Sequence, residues 1–295
     1  MGEFKTYHPI VNFTYFVFVI GFSGFFMHPV CLLISLVSGF IYSVMLKGAK
    51  QVKTNLIYIL PMMIFMALIN PLFNHAGVNV ILYLPSGNPV TLEACVYGVC
   101  AALMIASVIL HFSCYNEIMT SDKFIYLFGK IIPGLSVIIS MTLRFVPKFI
   151  SQFKAVISAR KCMGRDVTNG GILKRLKSGL SVLSSVTTWA FENAIETADS
   201  MKARGYGILK RTSFSIFKFD KRDKKALIFI LILGMYTLFG KLMGEMNFTY
   251  FPSMQGQEAS VFGVSVFLAQ LLLFMFPVMI EAWEVKKWKL LKSKI

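Results

Sequence analysis

Apolar residues in this chain fall into long runs separated by short polar segments, with one extended interruption in the middle. The runs cover 10–27, 30–46, 55–73, 92–113, 226–244 and 260–280, the first two divided by His28-Pro29. A helix needs roughly 17–25 apolar residues to cross a bilayer, so the pattern predicts six membrane spans, the first two near the lower limit. Pro61 predicts a kink in the third. The polar segments orient them. Lys47, Lys50 and Lys53 mark a cytoplasmic loop, whereas 74–91 holds no Lys or Arg and is expected outside. Trp283 and Trp288 are predicted at the membrane interface, with Lys286, Lys287, Lys289, Lys292 and Lys294 holding the tail inside. Both termini are then cytoplasmic. No small-residue cleavage signature follows the first run, so it is read as a retained span and not a signal peptide.

The interruption has its own pattern. Lys130, Pro133 and Arg144 bracket an apolar run of 13 residues, too short to span, so 124–147 predicts an interfacial helix. Pro147, a natural first-turn residue, predicts the start of a helix with Phe149, Phe153, Val156, Arg160 and Met163 on one face. A longer helix follows. Leu173, Leu176, Leu180, Leu183, Thr187, Ala190, Ala194, Thr197 and Met201 recur in steps of three and four, one continuous stripe expected to pack. Glu192, Glu196 and Asp199 form a separate acidic face. Each helix closes on a glycine, at Cys162-Met163-Gly164 and at Ala203-Arg204-Gly205. Gly readily ends a helix in the left-handed conformation, and a cation just before it is favoured by the helix dipole. Two displayed helix tips, each with cations close by, are expected. A basic linker running to Lys224 and Lys225 completes three stretches: 1–123, 124–225 and 226–295.

Composition fixes the class. The chain is 56% hydrophobic and 15% charged, against roughly 45–50% and 25% in soluble domains, so an all-α polytopic membrane protein with cytoplasmic amphipathic helices is predicted. From Arg144 to Lys225, 18 Lys and Arg stand against 6 Asp and Glu, a local excess of +12 within a net charge of +16. That block carries apolar stripes and no nucleic-acid reader motif, so nucleic acid is not the expected partner. The five cysteines lack metal-site spacing and read as reduced packing residues, and the four histidines are scattered. No phosphate-binding Gly-rich loop and no nucleophile or zinc motif is present, so the chain is not expected to hydrolyse ATP or to be an enzyme. The spans hold almost no ionisable residue to carry a coupling ion.

Two glycine-ended tips about 40 residues apart, joined by a long helix within a multi-span chain, resemble the transmembrane coupling subunit of energy-coupling factor transporters. That family includes the cobalt-transport transmembrane proteins. Other family-like features are Tyr7-His8-Pro9, Asn70-Pro71-Leu72-Phe73 with Gly77, Glu93 with Gly98, and Leu143-Arg144-Phe145-Val146-Pro147. The resemblance covers nearly the whole chain to about residue 245; the last span is less typical, and Met163 stands where the family has Arg. It implies a multi-pass subunit of the cell membrane that binds no cofactor itself. ATP is hydrolysed by two ABC-type ATPase partners, and a separate membrane component captures a vitamin, cobalt or nickel. The residues implied to bind the ATPases are Arg160, Met163, Gly164, Arg165, Ala203, Arg204 and Gly205. Arg suits the role, because its planar fork makes bidentate bonds to a carboxylate and keeps its charge. A different class also fits the composition: a polytopic membrane enzyme or channel with a basic lipid-binding loop, which would be active alone.

Overall fold

A computed structural model of the chain describes residues 2–83, 88–129, 133–164, 171–207, 217–256 and 260–292. Within them the chain is almost wholly helical: α1 (Pro9–Phe25), α2 (Pro29–Lys47), α3 (Ala49–Phe73), α4 (Leu92–Ile118), α5 (Ser121–Gly129), α6 (Pro133–Cys162), α7 (Ile172–Ala203), α8 (Lys221–Leu242) and α9 (Val261–Lys292). Two short antiparallel ribbons join helices. They are β1 (Val80–Tyr83) with β2 (Pro89–Thr91), and β3 (Phe248–Thr249) with β4 (Gln255–Gly256). By length and composition, five described helices can cross a membrane: α2, α3 from Val52, α4, α8 and α9 to Trp288; α1 is a shorter apolar helix. The protein is an all-α polytopic membrane protein.

The chain divides into two compact units, Met1–Lys123 with Phe217–Ile295, and Phe124–Ile216. The membrane unit is thus assembled from both ends of the sequence. Its helix starts are locally encoded. His8-Pro9 and His28-Pro29 begin α1 and α2 alike: each imidazole Nδ1 accepts the N–H two residues on, at 3.3 Å, while Pro takes the first turn. Thr91 Oγ1 caps α4 by accepting from Ala94 N at 3.3 Å. Gly48, with φ 75°, is the whole connection between α2 and α3.

The core of this unit forms around α1, which packs on α4 and α8. Val11, Tyr15, Phe16, Val19 and Phe22 are buried along it, beside Ile230 of α8 and Val266, Leu273 and Phe274 of α9. Several buried polar groups are paired across helices. Tyr15 donates to the Phe274 carbonyl at 3.1 Å, Ser23 and Ser35 hydroxyls meet at 2.6 Å, and His111 Nε2 meets the Ser35 carbonyl at 3.1 Å. Without water in the bilayer core, such pairing is what permits these groups there.

Candidate functional site

The second unit holds both candidate tips. The sequence reading starts its first helix near Pro147 and assigns 124–147 to a separate interfacial helix. The structure corrects this: α6 runs unbroken from Pro133 to Cys162 through Pro147, with α5 before it. An interior proline removes one backbone bond at a cost of about 3 kcal/mol, and a helix of 30 residues carries it. Lys130 lies outside the described residues.

α6 and α7 pack antiparallel. Near the end of α6, Arg160 Nη1 donates to Ser181 Oγ of α7. Further back, the Phe149 ring meets Trp189 edge-on at 5.6 Å, and Lys148 donates to Asn193 Oδ1 at 3.1 Å. Val182 and Val186 are the buried residues between them. The face of α7 that packs is therefore Val182, Val186, Trp189 and Asn193, a 4-3-4 spacing. It is not the leucine stripe. Leu180 and Leu183 are 65% and 54% exposed, and Leu173 and Leu176 are exposed too; only the stripe's far members Ala190, Thr197 and Met201 are half-buried. Leu183 follows Val182 by about 100° around the helix, so packing on the valines turns the leucines outward.

Both glycines end their helices as the sequence predicts. Gly164 has φ 73° and its N–H bonds the Lys161 carbonyl at 3.0 Å. At the second tip Gly205 has φ 79°, Gly205 N–H bonds the Lys202 carbonyl at 2.9 Å, and Tyr206 N–H reaches the Met201 carbonyl at 3.0 Å. The last turn of α7 is thus closed by its own backbone, leaving Ala203 and Arg204 exposed. Met163, 67% exposed, occupies the corresponding place at the first tip. Arg160 does not stand beside it in the open: it is half-buried against α7, and its Nε is buried with no acceptor among the described residues. Arg165 lies outside the described residues. Because Arg160 sits on Ser181, and α7 continues from Ser181 to Ala203 at a rise of about 1.5 Å per residue, the level of Arg160 and the second tip are about 33 Å apart along α7, and Met163 lies most of a turn further still. Sequence spacing alone conceals this separation; the antiparallel pairing creates it.

Residues 143–147 lie on α6 in the second unit, and the other family-like residues lie in the membrane unit. A Cβ on Gly98 would lie 2.9 Å from the Ala67 carbonyl and 3.0 Å from Asn70 Cβ, so Gly98 lets α4 approach α3 at the Asn70-Pro71 turn. Buried Glu93 accepts from Asn79 N–H at 3.3 Å and from Asn79 Nδ2 at 2.9 Å. Gly77, φ 135°, passes so close that a Cβ would lie 2.6 Å from Glu93 Oε2. Tyr7-His8-Pro9 meets the start of α8: His8 N–H donates to Asp223 Oδ1 at 3.2 Å, and the Arg222 guanidinium stacks 4.3 Å from the Tyr7 ring. Asn79, Arg222 and Asp223 were not singled out from sequence, since each is distant in the chain from its partner or lies in an unremarkable polar run. Among the described residues no cluster of His, Cys, Asp and Glu suits a metal ion.

Comparison with known proteins bears on these features. No family model matches the chain. It is 34% identical over 111 residues to "Energy-coupling factor transporter transmembrane protein EcfT" of Staphylococcus aureus (strain 04-02981), covering 37% of this chain and 41% of the relative. Proteins of the same name from Lactobacillus helveticus (strain DPC 4571) and Streptococcus equi subsp. equi (strain 4047) are 32% identical over 107 residues and 30% identical over 103 residues. They match 36% and 35% of this chain, and 39% and 38% of their own lengths. The chain thus spans about two fifths of the length of these curated relatives. The similarities support a transmembrane subunit of an energy-coupling factor transporter.

Proposed function

We propose that this chain is the coupling subunit of an ATP-driven uptake transporter of the energy-coupling factor type, set in the cell membrane with both termini cytoplasmic. It links two cytoplasmic ATPases to a substrate-binding membrane component that captures a vitamin or a transition metal. The observation that carries the reading is the pair of helix ends with self-closed last turns and exposed side chains, held more than about 33 Å apart on one antiparallel unit. A groove on each ATPase receives one tip. Ala203 is small enough for close approach, Gly205 ends the helix, and Arg204 projects to a carboxylate in the groove. At the first tip Met163 supplies apolar contact, and Arg165, or Arg160 once released from Ser181, supplies the charge that the family's Arg would carry. Two unlike tips fit a heterodimeric ATPase pair. The bound ATP, and any chemistry on it, belong to those partners.

Co-purification tests the reading. Wild-type chain should bring down two ATPases, and Arg204→Ala should lose most of that recovery, because removing one partner of a desolvated ion pair costs roughly 2–5 kcal/mol. Arg204→Lys should restore it only in part, since the fork is lost. Met163→Ala, Arg160→Ala and Arg165→Ala are compared at the first tip, with thermal unfolding measured alongside because Arg160 also ties α6 to α7. Full ATPase recovery and uptake with Arg204→Ala would remove the role given to the second tip. A chain that is active alone would instead mark an enzyme or channel.

A further inference from the structure

The membrane unit carries a second basic feature, separate from the tips. Between the first turns of α8 and the last turns of α9 lies a groove of about 830 Å³. Its floor is apolar, formed by Ala226, Phe229, Phe276, Met279 and Ile280, and Trp283 closes one side. Its rim is cationic, with Arg222 and Lys225 from α8 and Lys286 from α9. Both walls are helices long and apolar enough to cross a membrane, so the floor continues into the lipid-facing surface, where Ile228, Ile232 and Met279 are exposed.

The charges on this rim are not balanced from within. Arg222 is committed: its guanidinium stacks on Tyr7 and donates to Glu3 Oε2 and Thr6 Oγ1, both at 3.1 Å. Of the neighbouring acids, Glu284 accepts from Trp288 Nε1 at 3.3 Å and buried Asp223 accepts from His8 N–H, while Glu281 does not line the groove and has an Oε1 buried with no partner among the described residues. Among the described residues, Lys225 and Lys286 have no carboxylate partner. They stand on different helices at the mouth of one apolar groove.

We infer that this groove holds one anionic diacyl phospholipid, its phosphate between Lys225 and Lys286 and its acyl chains along Phe229, Phe276 and Met279. Unpaired cations above an apolar floor complement a ligand with a negative head and two apolar tails; a soluble anion would leave the floor wet, and a zwitterionic lipid would leave the charge unmatched. Interfacial lysines attract anionic lipid to this level of the bilayer, and a pocket of this size is typical of bound small molecules.

Trp283 reports on the groove. In full-length protein carrying Trp189→Phe, Trp288→Phe and, since Glu284 then loses its donor, Glu284→Gln, reconstituted in phosphatidylcholine vesicles, brominated phosphatidylglycerol and brominated phosphatidylcholine are titrated separately at equal fractions. Phosphatidylglycerol should quench Trp283 at lower membrane fraction, and Lys225→Gln with Lys286→Gln should erase the preference, by about fivefold per lysine. Native mass spectrometry of the wild-type chain from mixed-lipid membranes should show one retained phosphatidylglycerol, absent from the double variant. Equal quenching by the two lipids in the starting protein would overturn the inference, as would a preference that survives loss of both lysines. Neither readout depends on ATPase binding, so the result stands apart from the role proposed for the tips.

Discussion

At Gly77 the chain leaves no room for a side chain. A methyl there would lie 2.6 Å from Glu93 Oε2 and 2.8 Å from Thr91 Oγ1, on a backbone already at φ 135°. Gly77→Ala should lower the thermal midpoint in detergent well beyond Gly164→Ala, where an added Cβ meets nothing among the described residues and bears only the left-handed strain of about 1–2 kcal/mol. Equal midpoints would mean that the Glu93 contact is not tight. Lys123 makes a second residue-level case. Its buried ammonium donates to the Lys5 carbonyl at 2.6 Å, and with the Asn12 amide turned its oxygen accepts at 2.7 Å. Burial, helped by nearby Lys5, pushes its pKa down to about 8 from 10.5. A base with a depressed folded pKa costs stability while it is protonated, and that cost fades as pH rises from about 8 towards 10.5. The wild-type protein should therefore gain stability relative to Lys123→Met across that window; a flat difference would contradict the burial. Gly77 was legible in sequence only as a family-like feature after Asn70-Pro71-Leu72-Phe73. Lys123 was not, because nothing in its local run distinguishes a buried lysine from a surface one.

Helix α7 shows what periodicity can and cannot decide. The three-and-four spacing of its leucines correctly marks a helix, and its closing Gly205 marks the end. Which face meets α6 is a matter of the neighbour. Val182, Val186, Trp189 and Asn193 form a less apolar stripe than the leucines, yet they carry the contact, because the Trp189 ring and the Asn193 amide find Phe149 and Lys148 there. Val182→Asp should thus destabilise the α6–α7 pair by roughly 3–5 kcal/mol, the penalty of an unpaired buried charge. Leu183→Asp should leave the pair intact, as judged by protease protection of 148–203. If both variants expose the pair equally, the assignment of faces is wrong. The unbroken course of α6 through Pro147 was illegible for a different reason: proline favours a first turn and tolerates an interior one, and only the surrounding helix decides.

Across the whole molecule the hydrophobic runs were readable, and five of the six predicted spans return as helices long enough to cross, the other as the 17-residue α1. The sidedness expected from lysine and arginine placement is tested by labelling. An impermeant maleimide applied to intact cells should modify Val78→Cys and should not reach exposed native Cys162; modification of Cys162 from outside would invert the arrangement. What the runs could not show is which of them share a core. That core joins Phe4, Tyr7 and Tyr15 to Ile230 and Phe274 across more than 200 residues of chain, a pairing no local pattern announces.

That distance has a consequence for synthesis. The ribosome emits α1 early, but the groups that satisfy it arrive last: Asp223 for the His8 amide, Ile230 for its flank, the Phe274 carbonyl for the Tyr15 hydroxyl. Until then the nascent chain holds the first four helices with one side of α1 open to lipid, while α6 and α7 can already fold together. A chain stopped at residue 216 should insert and still be degraded quickly. Supplying 217–295 as a separate polypeptide should rescue it, and the two fragments should purify as one.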